Sequence, residues 1–332
     1  MYENSGGVKE EGIVNTASTR EVASVNFASR RSKYDVTGTV DVTNAEAVAA
    51  AVLRELETFS SAQTRIVEQA FSDFRCLYRG RYPGYLAVET AYHNEQHALD
   101  VTLAMARLIA AHEQSATKAE RLGSEMAVLG VLAALFHDAG YVRKAMDRRV
   151  AHGAAYTSKH IARSARFLES YLPTVRMGKY VGVIRKLLRF TGYGIAIERI
   201  FFDSPKYRVL GSMLGTADLM AQMADRCYLE KCRDRLYDEF IMAGYARPEN
   251  EKANNGYAFL SRQDMLQKTP DFMRTALYRR LEVGMGGLYH LFESYFKEGN
   301  LYYEAVIANL NYLEKVIKAG DFGMLRRRPP QL

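Results

Sequence analysis

The sequence of 332 residues contains no tryptophan and only three cysteines. Cys76, Cys227 and Cys232 are too few and too unevenly spaced for a disulfide framework, and none lies in a paired spacing typical of zinc sites. A reducing environment suits such a chain, so we predict a cytoplasmic protein. The N-terminal stretch lacks a basic segment followed by an apolar core, and no run of about 18 apolar residues is free of charge. These absences argue against secretion and against a membrane span.

A strong charge of one sign is also absent. Lys and Arg number 45 against 38 Asp and Glu, giving a formal net charge of +7, and Arg326, Arg327 and Arg328 supply part of the excess. No run alternates basic and aromatic residues, as a platform for single-stranded bases would require. The charge is compatible with an anionic phosphate substrate. A solvated surface with a basic tail is nevertheless favoured over a nucleic-acid site.

The chain does contain ample apolar residues, at 48%, to bury a core. Residues 1–43 are polar and lack sustained periodicity, which predicts a mostly disordered leader with at most a short strand. Residues 44–320 carry helical periodicity, few alternating strand patterns and no linker that would require a second domain, and residues 321–332 form a basic C-terminal tail. After one or two helices in the first part, further helices are predicted at about 95–113, 119–138, 153–171, 174–190, 206–243, 269–297 and 299–319. The sequence therefore predicts an all-α protein with an irregular helical bundle.

Seven histidines occur, and two of them lie close together in the segment AYHNEQHALDV. His93 and His97 are four residues apart, so a helix would place both rings on one face, with Asp100 on the same side. Taken alone, the pair is as compatible with a surface or polar core position as with a functional site.

A second histidine lies next to an aspartate at the end of an apolar segment. Residues 128–136 are strongly apolar, and His137 and Asp138 follow directly, with Gly140 as a natural helix stop. Burying two hydrophilic side chains costs several kcal/mol unless they are paired or bind a metal. A metal site is the simplest explanation, and a hydrogen-bonded core pair is the alternative.

A third hydrophilic residue, Asp218, lies in a run of apolar or small residues from 210 to 223. A lone carboxylate in such a helix is costly for the same reason. Imidazole nitrogens together with carboxylate oxygens suit zinc, manganese or iron, whereas magnesium and calcium prefer oxygen ligands. Two histidines and two aspartates would complete one coordination sphere.

The string YHNEQHALDV at residues 92–101 resembles the YHNxxHAxDV motif of class I 3′,5′-cyclic nucleotide phosphodiesterases, with every fixed position present. Together with LFHDAGY and the later Asp218, the order of residues resembles the wider HD superfamily of metal-dependent phosphohydrolases. The motif positions span residues 92–218, and the helical pattern extends the likeness to about residue 320. The resemblance implies a helical catalytic domain of the HD/PDEase type.

The resemblance also implies roles for individual residues. His97, His137, Asp138 and Asp218 would bind one divalent ion, Asp138 would also contact a second, and His93 would be the general acid. The ions would be zinc, manganese, iron or magnesium. The implied activity is hydrolysis of a 3′,5′-cyclic nucleotide to the 5′-nucleotide by a metal-activated hydroxide, with His93 protonating the departing oxygen. Asp100 would accept a hydrogen bond from a ligand histidine, or else be a solvent-facing charge.

The sequence departs from that family in two respects. The phosphodiesterases usually carry another histidine shortly after the His-Asp pair, whereas this chain has Tyr141. His152 or His160 could serve a second metal instead, although an ordinary surface histidine is favoured for each. The purine-binding glutamine of the family has no clear counterpart, because the residues around Gln263 match the family's sequence poorly. Substrate-binding residues are therefore not identified.

Two other functions are compatible with these residues. The same centre could hydrolyse another nucleotide or a phosphate monoester, or the domain could sense a nucleotide without turning it over. A basic loop directly after the metal pair could attract phosphate, but a solvated loop is favoured; its basic residues are Arg143, Lys144, Arg148 and Arg149. The sequence does not determine the oligomeric state.

Overall fold

The computed structural model describes residues 30–56, 60–248 and 256–331. Within these ranges the chain is helical, and its β-structure is confined to isolated bridges such as Tyr34 with Asp41. The predicted all-α class is confirmed. The α-helices are α1 (Ala45–Glu55), α2 (Ser61–Tyr78), α3 (Glu95–Ser115), α4 (Ser124–Leu135), α5 (His160–Tyr171), α6 (Val181–Leu188), α7 (Pro205–Ala224), α8 (Tyr228–Lys231), α9 (Tyr237–Met242), α10 (Arg262–Thr275), α11 (Leu291–Phe296) and α12 (Leu301–Ala319).

The central element is α3, which is buried along most of its length and packs against α1, α4, α7 and α11. Its first turn is capped by Asn94, whose side chain accepts a hydrogen bond from the backbone N–H of His97. The neighbouring α4 is apolar on all sides and buried from Ala127 to Leu135, as expected of a helix inside a core. Together α3, α4 and α7 form the scaffold of the candidate site.

Several predicted helices begin later or break earlier than the periodicity indicated. The fourth helix begins at Ser124 because Gly123 adopts φ +77°, a conformation that favours glycine. The long helix predicted for 206–243 is interrupted at Asp225, whose side chain accepts a hydrogen bond from the N–H of Cys227. The continuation from α8 to α9 passes through a π-helical segment, Cys232–Leu236. A π-helical segment, Ala276–Gly284, likewise extends α10.

Residues 30–43 fold onto the helical body, which differs from the disordered leader predicted for 1–43. We call this segment the N-terminal hook. Its apolar side chains Val36, Val40 and Val42 join the core, and the carboxylate of Asp35 accepts a hydrogen bond of 2.6 Å from Arg107 on α3. Burial of three valines and pairing of a buried charge explain why this segment packs on the helical body. Residues 1–29 lie outside the described residues.

The C-terminal tail also contacts the body. The last helix ends at Ala319, followed by Gly320 with φ +66° as a left-handed cap. Beyond it Leu325 is buried, and the guanidinium of Arg327 donates to the side-chain oxygen of Asn309 at 3.2 Å. In the described part of the chain, no helix combines the length and apolar character needed to cross a bilayer.

Candidate metal centre

Three helices bring the four predicted ligand residues together. His97 lies in the first turn of α3, His137 and Asp138 follow the end of α4, and Asp218 lies within α7. All four are buried. The ligand atoms of His97, His137 and Asp138 lie within 4.8 Å of one another, so this group can bind a metal ion. The Oδ1 atom of Asp218 is 3.3 Å from Nε2 of His97 and 3.8 Å from Nε2 of His137.

The spacing of these atoms fits a single ion. The two Nε2 atoms are 3.3 Å apart, and Asp138 Oδ2 lies 3.2 Å from that of His137 and 3.5 Å from that of His97. Ligands about 2.1 Å from an ion are separated by roughly 3.0 Å at right angles and by roughly 3.4 Å in a tetrahedron. Three of the five separations, at 3.2–3.3 Å, lie within this range, whereas those of His97 from Asp138 at 3.5 Å and of His137 from Asp218 at 3.8 Å exceed it. The mixed nitrogen and oxygen donors suit zinc, manganese or iron.

His137 is held in the tautomer that a ligand requires. Its Nδ1 lies 2.7 Å from the carbonyl oxygen of Ala134, a contact in which Nδ1–H donates, so the lone pair of Nε2 faces the centre. Burial is the largest single effect and lowers the pKa of His137, but the charge and hydrogen bond of Asp138, the charge of Asp218 and the carbonyl of Ala134 together outweigh it and raise the pKa to about 9. Without an ion the ring therefore holds a proton at neutral pH, and a metal must displace that proton to bind.

Asp138 is a buried carboxylate that faces two imidazole rings. Its Oδ2 atom has no hydrogen bond of good geometry among the described residues, but it lies 3.2 Å from Nε2 of His137. Burial acts to raise the pKa of this carboxyl, yet the charge and hydrogen bonding of His137, with the charges of His93 and His160, together hold it well below its usual range, so it remains ionised. A buried carboxylate in this position is stabilised by a cation or by a protonated His137. The metal site and the His-Asp core pair are therefore both compatible with this geometry.

The predicted general acid, His93, lies beside this group and is paired with a carboxylate that the sequence did not reveal. Its Nδ1 atom is 2.5 Å from Oε2 of Glu239, which is 1% exposed, and the other Glu239 oxygen accepts from the backbone N–H of His93 at 3.3 Å. Burial is the largest single effect and lowers the pKa of His93, but the charge and hydrogen bond of Glu239, with the charges of Asp138 and Asp218, together outweigh it and raise the pKa. The protonated ring is favoured, as a general acid requires.

Tyr141 occupies the position where the resemblance led us to look for a histidine. Its ring stacks on that of His93, with centroids 4.5 Å apart and planes at 16°, and on that of His160, at 4.6 Å and 17°. The side chain is buried. Tyr141 therefore holds two histidine rings in place by packing, a role that no sequence pattern indicated.

His160 lies beside the metal-ligand candidates, whereas His152 does not. Nε2 of His160 lies 3.8 Å from Asp138 Oδ1, and its Nδ1 lies 2.6 Å from the carbonyl oxygen of Thr157, which orients Nε2 inward. This placement makes His160 the candidate for a second ion that shares Asp138. Both ring nitrogens of His152 are engaged by backbone, with Glu89 and Ala154, so it is a structural residue.

Asp100 fits neither expectation for it. It is buried, so it is not a solvent-facing charge, and its Oδ1 has no hydrogen-bond partner among the described residues. Burial, reinforced by the charge of Asp225, raises the pKa of Asp100 to about 7. It lines a cavity of about 10 Å³ that also touches His97 and Lys231. Asp100 and the predicted ligand His97 thus line the same cavity.

The remaining candidates lie elsewhere. Gln263 is exposed in the first turn of α10. In the basic loop, Arg143 pairs with Glu89 at 2.7 Å and Arg149 with Asp147 at 2.8 Å, so half of its charge is neutralised locally. Neither observation identifies a substrate-binding residue.

Comparison with known proteins adds no assignment. No protein family matches the chain, and neither the curated proteins nor the solved structures contain a match. Any function must therefore be argued from the residues and their geometry.

Proposed function

We propose that the protein is a divalent-metal-dependent phosphohydrolase, and specifically a phosphodiesterase that hydrolyses 3′,5′-cyclic nucleotides to 5′-nucleotides. One observation carries this proposal: the buried side chains of His97, His137 and Asp138 lie close enough together to bind one ion. Asp218 approaches both imidazole rings within 3.8 Å, and a histidine paired with a carboxylate lies beside the group. The motif resemblance of residues 92–101 supplies the substrate class. We also propose a cytoplasmic location, supported by three free cysteines.

Different residues would bind the ions and transfer the proton. His97, His137, Asp138 and Asp218 would hold one ion, and Asp138 with His160 would contribute to a second. Ions bound there supply charge neutralisation for the phosphoryl oxygens and activate a water nucleophile. Glu239 holds Nδ1–H of His93, which leaves the proton on Nε2 available for the departing ester oxygen. Tyr141 keeps that ring in position.

Replacing His93 tests the acid separately from the metal. We expect His93→Gln to lower turnover of a cyclic nucleotide by about 10²–10⁴-fold, because the leaving oxygen would depart without a positioned proton donor. Metal content should stay at the wild-type level, since His93 is not among the proposed ligands. Steady-state kinetics and elemental analysis of the same preparation measure both.

His290→Gln is the matched control, because this histidine is exposed on the surface and contacts only Glu282, Glu293 and the ring of Tyr289 among the described residues, none of them a predicted site residue. It should retain wild-type turnover. Unchanged turnover in His93→Gln would remove His93 from the mechanism, and loss of metal in that variant would make it a ligand instead.

A second prediction concerns the pH dependence of turnover. The carboxylate of Glu239 raises the pKa of His93, so the active imidazolium form is kept to higher pH and is lost as pH rises through that pKa. Glu239→Gln removes this charge and should move the alkaline limb of the kcat profile to lower pH. Profiles of the two proteins are compared at equal metal content. An alkaline limb that does not move would show that another group controls it.

A further inference from the structure

A second cavity, separate from the metal centre, lies against α5 and the loop that follows Asp138. We call it the α5 pocket. Its volume is about 780 Å³, within the range of about 300–1,000 Å³ found for small-molecule sites. The walls come from four parts of the chain: Tyr85, the loop of residues 139–150, the turn at residues 156–159, and α5 itself. None of the proposed metal ligands lines it.

The pocket carries positive charge that the protein does not neutralise. Lys144, Lys159 and Arg166 line it, and none of the three has an ion-pair partner among the described residues. Its two carboxylates are already paired: Asp147 with Arg149 at 2.8 Å, and Glu169 with Arg185, also at 2.8 Å. A concave surface with three uncompensated cations from different segments concentrates anions.

A fourth cation is fixed in place at the pocket. The guanidinium of Arg163 lies 3.5 Å from the ring centroid of Tyr156, and it donates to the carbonyl oxygens of Gly140 at 2.6 Å and Val142 at 2.9 Å. Its remaining nitrogen, Nη1, is 3.9 Å from Asp147. An arginine oriented in this way loses little side-chain entropy when an anion binds.

One wall of the pocket is apolar. The rings of Tyr85 and Phe167 pack edge to face, with centroids 5.8 Å apart and planes at 85°, and Tyr85 remains partly exposed. Such a wall accommodates the organic part of a ligand, while the cations face its charged part. Neither a bilayer nor a nucleic-acid duplex could present its charge inside this concavity.

We propose that the α5 pocket binds a small organic polyphosphate of the size of a nucleoside triphosphate. The uncompensated charge of Lys144, Lys159 and Arg166 matches at least two phosphoryl groups, and the wall formed by Tyr85 and Phe167 receives the base or sugar. The site is independent of the metal centre and of the phosphohydrolase activity proposed above.

The test uses the full-length protein and a fluorescent ATP analogue, N-methylanthraniloyl-ATP, titrated in the presence of EDTA so that the metal centre is empty. We expect saturable binding, measured by anisotropy. The triple variant Lys144→Gln/Lys159→Gln/Arg166→Gln should bind at least about thirtyfold more weakly, because three charge-assisted contacts are lost. These side chains are exposed, so the variant should fold, which circular dichroism verifies.

Two comparisons make the result specific. Lys118→Gln/Lys315→Gln/Lys318→Gln removes the same charge from exposed positions that do not line the pocket, and it should bind like wild type. Asp138→Ala should also bind like wild type. Pyrophosphate should displace the analogue, whereas adenosine should not.

Four results would overturn the proposal. They are the absence of saturable binding up to about millimolar protein, equal weakening in the two triple variants, loss of binding in Asp138→Ala, which would place the nucleotide at the metal centre, and displacement by adenosine as effective as by pyrophosphate.

Discussion

Asp138→Ala should abolish metal retention and lower turnover by more than about 10³-fold, because the proposed mechanism relies on an ion for several kcal/mol of transition-state stabilisation. Asp138 is the residue on which the site converges: Oδ2 faces Nε2 of both His97 and His137, and Oδ1 faces His160. Elemental analysis of the purified protein and a turnover screen of cyclic nucleotides, linear diesters and monoesters measure the two effects.

Asp271→Ala provides the control, since this carboxylate is exposed and contacts only Arg274. It should leave metal content and turnover unchanged. Full activity in wild-type protein that is metal-free and insensitive to a chelator would refute the mechanism. Turnover of monoesters alone would favour the related hydrolase activity. Tight nucleotide binding at the loaded metal centre, with no turnover of any ester, would favour a sensing domain.

Asp35→Asn should lower the free energy of unfolding by about 3–5 kcal/mol, the range for breaking one partner of a buried ion pair. The carboxylate is completely buried, and besides Arg107 it accepts hydrogen bonds from Thr37 and from the backbone N–H groups of Thr39 and Val40. The variant leaves the Arg107 guanidinium, 3% exposed, without its counter-charge. Urea unfolding followed by circular dichroism measures the loss.

The pH dependence of this effect has a definite sign. Burial is the largest single effect and acts to raise the pKa of Asp35, but the charge and hydrogen bond of Arg107, with the hydrogen bonds from Thr37 and the backbone N–H of Val40, together outweigh it and lower the pKa. A depressed carboxyl pKa contributes stability that is fully present above the unfolded value of about 3.9 and is lost as pH falls through the folded value. The difference between wild type and Asp35→Asn should therefore be constant near neutral pH and shrink below about pH 4.

Asp41→Asn is the matched control within the same hook, because its partner Lys33 is half exposed. It should cost no more than about 1 kcal/mol. If both variants lower the free energy of unfolding by the same amount, burial of the Asp35–Arg107 pair does not make it more stabilising than the exposed pair. The double variant Asp35→Leu/Arg107→Met should recover most of the loss, since apolar residues of similar size often replace a buried pair without penalty.

The residues that could be predicted from sequence are those whose burial would be costly without a partner. His137, Asp138 and Asp218 each interrupt an apolar run, and that local conflict is visible without a structure. Glu239 could not be found in this way, because it lies in a short helix with mixed polarity and is 146 residues from His93. Tyr141 was visible only as a departure from a motif, since ring stacking depends on where α5 packs.

The hook was missed for a related physical reason. Its three valines alternate with polar residues over only seven positions, with Gly38 between them, so the local pattern is too short to indicate more than a short strand in a mostly disordered segment. What orders it is a partner on α3, 72 residues away. Helix ends differ from the predicted positions where a single residue determines the end, as at Gly123 and Asp225. The central parts of α3, α4 and α7 lie where the apolar pattern predicted them.

Arg107 has a consequence for how the chain assembles. Its guanidinium donates a hydrogen bond to Asp35, which lies near the start of the described residues. It also donates one of 3.0 Å to the hydroxyl of Tyr302, which lies 195 residues after Arg107. During synthesis the hook would emerge before α3 and α12, so it could not reach its full arrangement until α12, the last long helix, had left the ribosome. Because Arg107 joins the hook, α3 and α12, these elements should fold as one cooperative unit. In a fragment that ends before residue 302, the hook should therefore not pack stably on the helical body.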